Sequence, residues 1–427
     1  MKFDKQVSNS YSLAFATVVL GLIIGFAAYI LDIELGLVEH LFLGFRERPA
    51  EPVSVFISPG HRLLAVFIGG LIVAVIWYFL QRNYKWVTVG QAVQGKREFS
   101  GWKTVLDVLT QVFYVSTGGS IGRELAPREL GSMLAQKWGN LFSHEGRFYL
   151  SRDDRRLLIA AAAGAGFAGV YLAPITGMMF SIEILRKQIS RRAVAVSLTM
   201  TAISTTIGSL TKGYKPYYAV SHRNFSFKLI PFTILIALIL GILGTIFRKG
   251  VKVAKKHQVT DKRILWQLPL AALVTGCVAA VFPQIMGNGR GLAQLAMNSN
   301  QIKASVITVL LLGALAKAGV TLLTIKSGAY GGTLTPSISI GAVVGVVLGM
   351  VYVQFVPGVD LVQCAIIGAV AFLTASQQAP LMAMFMLVEI CHLEVSAMVP
   401  LGLGTAISIA ISRFIQTNNI RGQRHLN

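Results

Sequence analysis

Two short segments that contain glycine and end in proline have the residue types of an anion site. They are residues 122–127 (GRELAP) and 331–336 (GGTLTP), and each interrupts an apolar region and precedes a helical run. Each is therefore predicted to start a helix. Helix N-termini offer N–H groups without helical partners and about half a positive charge, so they are ready anion sites. The alternative is that both segments are ordinary Gly-Pro helix starts.

Glu124 is the acidic residue of the first segment. A carboxylate beside an anion site competes with the anion while ionised, and it vacates the site when protonated or displaced. Acids within apolar membrane segments are costly and point to function. Glu124 is therefore predicted to be a gate. The alternative is that it caps its helix and pairs with Arg123 or Arg128.

An internal repeat follows from a second pair of matched segments, residues 171–184 (YLAPITGMMFSIEI) and 377–390 (QQAPLMAMFMLVEI). Both carry Ala-Pro, with a glutamate nine residues after the proline, Glu183 in the first copy and Glu389 in the second. The two motif pairs are offset by 209 and 206 residues, which indicates duplication. We expect a first repeat at 1–212 and a second at 213–427. Glu183 is either a structural carboxylate or part of a proton path.

The composition is that of a membrane protein, with 54% hydrophobic and only 13% charged residues. Apolar stretches without charged residues are long enough to cross a bilayer; they are residues 11–30, 63–80, 229–247 and 395–412. The shorter segments 159–182 and 338–350 contain glycines and are predicted to be tightly packed or broken. Such segments are typical of transporter folds.

The formal net charge of +21 comes largely from connectors between the apolar stretches. The orientation rule for Lys and Arg explains these charges, so nucleic-acid binding is not expected. Residues 248–263 and 85–103 are predicted to be cytoplasmic, as are both termini, in a bacterial inner membrane. Cys277, Cys364 and Cys391 have apolar neighbours and are expected to be buried thiols rather than metal ligands. No metal site, cofactor or catalytic residue is predicted, and the protein is not expected to be an enzyme.

The motifs GRELAP, APITGMMFSIE, SGAYGGTLTP and APLMAMFMLVE stand in the order found in the CLC family of chloride channels and proton-coupled chloride antiporters, which the chain resembles. The resemblance implies an all-α integral membrane protein of about 18 helices, several broken or partly spanning, in two inverted-topology repeats. It also implies a homodimer in a lipid bilayer, with chloride or another small anion as substrate. Because the chain ends at Asn427, shortly beyond the last apolar stretch, no C-terminal regulatory domain is expected.

The resemblance also implies site residues. Glu124 takes the place of the gating glutamate, next to Gly122 and Arg123 as anion-binding residues. Thr333 and Leu334 take the places of residues that donate backbone N–H groups to the central anion. The family's inner serine motif, Gly-Ser-Gly-Ile-Pro, has no clean copy here; residues 85–90 (KWVTVG) correspond to it, and Thr88 is the only hydroxyl residue among them.

Besides the missing serine motif, the chain departs from the family pattern at four places. Leu125 and Ala126 replace a single glycine before proline, and Leu334 replaces phenylalanine. No tyrosine follows Phe414 to close the inner end of the pathway. Ile184 stands where antiporters often carry a second glutamate, and an apolar residue cannot relay a proton.

The sequence therefore favours chloride transport gated by Glu124, as a channel or a weakly coupled transporter. One alternative is a proton-coupled antiporter in which Glu124 and Glu183 exchange protons. Another is an anion sensor, or an exporter of fluoride or nitrate, on the same scaffold.

Overall fold

The computed structural model describes residues 2–53, 55–83, 86–142 and 149–424. Across these residues it contains sixteen α-helices, a few 3₁₀ or π turns, and one isolated bridge in place of any sheet, which confirms the all-α prediction. The first eight helices are α1 (Lys2–Leu43), α2 (Pro59–Asn83), α3 (Val89–Val93), α4 (Gly101–Ser116), α5 (Leu125–Leu141), α6 (Arg152–Tyr171), α7 (Pro174–Met179) and α8 (Arg191–Gly208).

Eight more helices follow in the rest of the described chain. They are α9 (Ile230–Lys256), α10 (Ile264–Val281), α11 (Arg290–Asn298), α12 (Ala304–Lys326), α13 (Leu334–Tyr352), α14 (Leu361–Gln377), α15 (Pro380–Ile390) and α16 (Met398–Arg424). The helices α5 and α13 begin within the two Gly-Pro segments, at Leu125 and Leu334, which confirms that each segment starts a helix.

Eight helical segments of the described chain are long and apolar enough to span a membrane. At 1.5 Å per residue, about 20 helical residues cross roughly 30 Å of hydrocarbon. The four long stretches chosen from the sequence lie within four of these segments, Ser10–Leu43, Pro59–Arg82, Phe227–Lys256 and Val395–Thr417. The chain is thus a multi-pass integral membrane protein.

The shorter glycine-containing segments behave in two ways. Residues 159–182 are broken between α6 and α7, as expected. Leu172 has φ of +55°, and Ala173 is in a non-helical conformation before Pro174. Residues 338–350, by contrast, lie within the continuous helix α13, most of whose side chains are buried, so this segment is tightly packed rather than broken.

The duplication is visible in the backbone. Gln378, with φ of +59°, ends α14 as Leu172 ends α6, and in both copies a non-helical alanine precedes the proline that starts the next helix. A non-glycine residue at positive φ is uncommon, so two at corresponding places of the matched motifs are not coincidental. The helices α4 and α12 are also followed by similar turns. In each, the second residue after the helix is a glycine at positive φ, Gly118 (φ +101°) and Gly328 (φ +113°).

The chain folds into two compact units that interleave along the sequence. The first comprises residues 1–37, 79–113 and 123–215, and the second comprises residues 38–78, 114–122 and 216–427. Glycines allow close helix packing in each unit. In the first unit, a Cβ added at Gly166 of α6 would clash with the carbonyl oxygen of Pro127. In the second, a Cβ added at Gly368 of α14 would clash with the carbonyl oxygen of Gly341. The repeat boundaries 1–212 and 213–427 remain a prediction.

The cysteine prediction is confirmed for Cys364 and Cys391, which are buried free thiols. It is wrong for Cys277, which is exposed. Cys277 lies on α10, one of the candidate spans, and apolar neighbours in a span do not imply burial inside the protein, because lipid-facing residues are apolar too.

Candidate functional site

A pair of backbone hydrogen bonds joins the two glycine-containing segments. The N–H of Gly122 donates to the carbonyl of Gly332 at 2.8 Å, and the N–H of Gly332 donates to the carbonyl of Gly122 at 2.8 Å. This is the isolated antiparallel bridge of the described chain, and both glycines belong to the second compact unit. The two segments that the sequence pattern singled out therefore meet at these residues.

Gly331 has no room for a side chain beside this bridge. A Cβ at this position would lie 2.6 Å from Cγ1 of Ile121 and 2.9 Å from the carbonyl oxygen of Gly122. Packed protein interiors do not accommodate such approaches without movement. A glycine is thus required here by the close approach of the two chain segments.

The bridge pairs the two segments in a different register from the sequence match. Gly122 pairs with Gly332, 210 residues later, whereas the sequence pattern aligns it with Gly331. Pro127 and Pro336 remain 209 residues apart. The first segment therefore has one more residue between its bridge glycine and its proline. This is the place where it departs from the family pattern.

Glu124 is fully buried and occupies the N-cap position of α5. Its side chain makes no capping hydrogen bond, so the structure does not support the capping alternative. Arg128, one turn later, lies close enough to attract the carboxylate, and its guanidinium is 4.3 Å from the ring centre of Phe180. Attraction by Arg128 is thus part of the site, while the role of Glu124 as a gate stays a prediction.

Arg123 is buried beside Glu124 in the first unit. Its guanidinium lies 5.9 Å from the ring centre of Tyr171. Together with Asp32 it lines a cavity of about 10 Å³, room for roughly one water molecule. Asp32 accepts a hydrogen bond from Lys212 at 3.1 Å. Arg123 therefore shares this small cavity with a carboxylate that is paired with a lysine. Its role in anion binding remains a prediction.

The start of α13 is ordered by hydroxyl and amide groups of the second unit. Thr333 is the N-cap residue, is half-buried and makes no side-chain capping bond. Its hydroxyl accepts a hydrogen bond from Nε2 of Gln377 at 3.3 Å. The next residue, Leu334, is buried, and Ser337 donates its hydroxyl proton to the Thr333 carbonyl at 2.7 Å. Gln377 and Ser337 support this helix start and were not predicted from the sequence.

Thr88 is the N-cap residue of the short helix α3 and is exposed. Its hydroxyl accepts a hydrogen bond from the backbone N–H of Gln91 at 3.2 Å. In return, Oε1 of Gln91 accepts one from the backbone N–H of Thr88 at 3.1 Å. The pair is a capping box. Lys85, from the same predicted region, lies outside the described residues. The anion-binding role of Thr88 stays a prediction.

Glu183 lies half-buried in a π-helical turn, Phe180–Arg186, that follows α7. Such turns often occur at functional sites. Ile184 is its half-buried neighbour. Arg186, the basic residue that ends this turn, donates to Asp153 at 3.1 Å. The proton-path role of Glu183 is neither supported nor removed by these contacts.

Lys317 fixes the loop that leads to the bridge. Its side chain is fully buried in the second unit, and its Nζ donates to the Ser120 hydroxyl at 2.8 Å. It also donates to the carbonyls of Ile285 at 3.0 Å and Gly287 at 2.7 Å. Ser120 is two residues before Gly122. Lys317 is therefore paired inside the protein, and its three hydrogen bonds hold this loop against neighbouring backbone.

Comparison with known proteins gives the same pattern over the whole chain. A family model described as voltage gated chloride channel matches residues 69–413. A voltage-gated ClC-type chloride channel, ClcB, of Salmonella typhimurium is 26% identical over 404 residues, covering 91% of this chain and 92% of that protein. A ClcB of Escherichia coli O17:K52:H18 is 26% identical over 427 residues, covering 96% of this chain and 98% of that protein.

Two solved structures share the fold. One is a slow cyanobacterial Cl⁻/H⁺ antiporter, with a TM-score of 0.78, 20% identity and 95% coverage of both chains. Another is a CLC-type fluoride/proton antiporter, with a TM-score of 0.72, 20% identity and coverage of 93% of this chain and 95% of that chain. The helix starts, the duplicated turns and the family match agree, and the chain therefore belongs to the voltage-gated, or CLC, chloride channel family.

Proposed function

We propose that this protein moves chloride across a lipid bilayer, with N–H groups at the starts of α5 and α13 as anion ligands and Glu124 as the gate. The observation that carries the proposal is the reciprocal bond pair between Gly122 and Gly332. The helices α5 and α13 begin within three residues of these glycines. The ClcB relatives are described as chloride channels, which supports chloride as the anion.

Helix starts suit an anion that must also leave. Each contributes about half a positive charge rather than a full one, so the anion is stabilised without the tight pairing that a bare lysine or arginine would give. On this proposal the residues at the two starts, Gly122 and Arg123 in one and Thr333 and Leu334 in the other, contribute mainly through their backbone.

Glu124 gates the pathway by competing for the anion position. While ionised, its carboxylate occupies the place that chloride needs, and protonation removes the charge that keeps it there. Low pH on the side that Glu124 faces should therefore open the pathway.

A second candidate function is proton-coupled chloride exchange, in which Glu124 carries protons as well as gating. Two proteins with the same fold are described as proton antiporters, one for chloride and one for fluoride. Ile184 weighs toward a channel or a weakly coupled transporter, because it offers no protonatable group next to Glu183. Fluoride or nitrate as the preferred anion is a further variant of this proposal.

Simultaneous chloride and proton fluxes from reconstituted liposomes test these functions. The leading proposal expects chloride release that increases at low external pH, and absence of chloride flux at any pH would overturn it. Uphill proton movement driven by a chloride gradient would establish the second candidate in place of passive conduction. Competition by fluoride and nitrate in the same assay identifies the anion.

The resemblance also supports proposals on assembly and orientation. We propose a homodimer with one pathway in each subunit, in the bacterial inner membrane, with both termini cytoplasmic and no resident cofactor. Cross-linking in native membranes tests the dimer. Labelling of cysteines placed in the basic connectors, compared between intact cells and inverted vesicles, tests the orientation.

A further inference from the structure

A second polar cavity lies in the first compact unit, outside the residues discussed so far. Its volume is about 170 Å³, more than ten times the roughly 10–15 Å³ that one water molecule requires. It is formed by the connector after α3, the last turns of α5 and the first turns of α6. Its charged lining residues are four arginines and one glutamate: Arg97, Arg152, Arg155, Arg156 and Glu98.

The walls of this arginine cavity are held by side-chain bonds to the backbone. Gln136 of α5 accepts the N–H of Phe99 at 2.8 Å and donates to the carbonyl of Arg97 at 3.1 Å. Arg156 donates through one terminal nitrogen to the carbonyl of Gln94 at 3.0 Å. The connector is thus fixed to both helices. The cavity is part of the folded frame.

The acids near the cavity already have partners. Asp153 and Asp154, in the first turn of α6, pair with Arg186 and Arg192 respectively. Glu98 accepts a hydrogen bond from Asn140 at 3.1 Å. Among the described residues that line the cavity, positive charge therefore outweighs negative charge.

Two of the cavity arginines carry buried donors without a protein partner. The Nε atoms of Arg155 and Arg156 are buried and make no hydrogen bond within the described part of the chain. A buried donor without an acceptor destabilises the folded state, and native proteins leave few of them. The stem of Arg155 packs on Gly139, where a Cβ would lie 3.1 Å from its Cγ. Both arginines are therefore held by their surroundings, and in each the Nε donor lacks an acceptor among the described residues.

We propose that the arginine cavity is a binding site for a phosphate-bearing anion. A guanidinium presents paired N–H donors that match two phosphate oxygens, and several arginines around one concave site are the usual means of phosphate recognition. The volume suits a group much larger than a halide. The site does not depend on Glu124 acting as a gate.

The phosphate has two chemical sources. One is the headgroup of an anionic lipid, and the other is a soluble phosphate compound. The connector belongs to residues 85–103, which the distribution of basic residues predicts to be cytoplasmic, so either source is available to it. Both sources present a phosphate group to the arginines, and the experiments below distinguish a lipid headgroup from a soluble phosphate compound.

The first test measures thermal stability of the purified protein in detergent, at constant chloride and ionic strength, as inorganic phosphate is added. We expect a rising melting temperature, because a ligand that binds only the folded state stabilises it by mass action. The second test measures retention of phosphatidic acid relative to phosphatidylcholine after reconstitution and re-extraction.

The variants are Arg155→Gln with Arg156→Gln, compared with Lys252→Gln with Lys256→Gln, two exposed lysines near the end of α9. We expect the arginine pair to weaken phosphate or phosphatidic acid binding at least about tenfold, which corresponds to about 1.4 kcal/mol, and the lysine pair to leave it unchanged. Size-exclusion profiles establish that each variant folds, and Arg155→Lys with Arg156→Lys retains the charge if the Gln pair does not fold.

The outcomes separate clearly. Loss of the phosphate effect alone identifies a soluble phosphate compound, and loss of lipid retention alone identifies a headgroup, either of which supports the proposal. Equal losses in the arginine and lysine pairs would indicate general charge screening and overturn it. No response of the parent protein to either probe would also overturn it. Chloride flux that persists in the arginine pair keeps this result separate from the proposed transport function.

Discussion

At the residue scale, the two repeats carry different groups at equivalent helix starts. Glu124 is the N-cap residue of α5 and Thr333 is that of α13, each three residues before a proline. Neither side chain caps its helix. The sequence suffices to identify Glu124 as the exceptional acid. It does not show that the Glu124 side chain makes no capping hydrogen bond to α5, because that depends on the direction in which the side chain points.

Glu124→Gln should remove the pH dependence of chloride flux. An amide of the same shape cannot ionise, so it no longer competes with the anion as pH rises. We expect flux through the variant to change less than about twofold between about pH 4.5 and 7.5, measured in liposomes.

A matched control for that variant is Glu129→Gln on the same helix. Glu129 is also buried, and it accepts a hydrogen bond from Gln111 at 2.9 Å. The control should keep the pH dependence of the parent protein. An unchanged pH profile in Glu124→Gln would remove Glu124 from the mechanism.

Lys317→Met should destabilise the protein and reduce flux together. Methionine fills a similar volume but leaves the Ser120 hydroxyl and two carbonyls without their donor, at a cost of roughly 3 kcal/mol. We expect a lower melting temperature and slower chloride release. Lys303→Met, at an exposed position before α12, is the control and should change neither quantity. A variant with parental stability and flux would show that Lys317 does not hold the bridge loop.

At the element scale, the bridge between Gly122 and Gly332 and the matched turns define the proposed site. The Gly-Pro segments located the starts of α5 and α13 correctly, because proline and glycine mark helix boundaries strongly. They did not locate the one-residue difference in register. The pairing of Gly122 with Gly332 is a contact between residues 210 apart in the chain, and no local pattern encodes it.

Gly331→Ala should abolish or greatly reduce chloride flux. The added Cβ would meet Ile121 and the Gly122 carbonyl, so the bridge between the two segments must shift. We expect at least about a tenfold loss of flux from a displaced helix start, since displacements near 1 Å have effects of this size or larger at positioned sites.

Gly319→Ala is the matched control for this element. Gly319 lies within α12, and a Cβ there meets nothing within 4 Å. Alanine favours a helix over glycine by about 1 kcal/mol, so the control should keep full flux and lose no stability. Parental flux in Gly331→Ala would show that the bridge geometry is not needed for transport.

At the scale of the whole molecule, membrane class and repeat were readable from the sequence, whereas the composition of the compact units was not. The second unit takes residues 38–78 and 114–122 from the first half of the chain. Hydrophobic periodicity locates spans but does not report which distant spans pack together. The predicted boundary near residue 212 therefore does not separate two self-contained folding units.

Division of the chain between residues 212 and 213 tests this interleaving. We expect residues 213–427 alone to be unstable in membranes, because the second unit then lacks its segments from the first half. Co-expression with residues 1–212 should restore a protein that co-purifies and conducts chloride. Stable, monodisperse protein from residues 213–427 alone would contradict the interleaved arrangement, and degradation assays in cells with size-exclusion chromatography measure it.

The helix starts of the two copies carry different N-cap residues, and this difference makes the proposed transport pathway asymmetric. A transporter assembled from identical halves would respond in the same way to acid applied on either face of the membrane. Here Glu124 stands at the start of α5 and Thr333 at the start of α13, so only the first of these two N-cap residues carries a carboxyl group that a proton can neutralise. On the proposed gating role of Glu124, we expect acid applied to the two faces of the membrane to change the flux unequally, because the duplicated segments carry different residues at their helix starts.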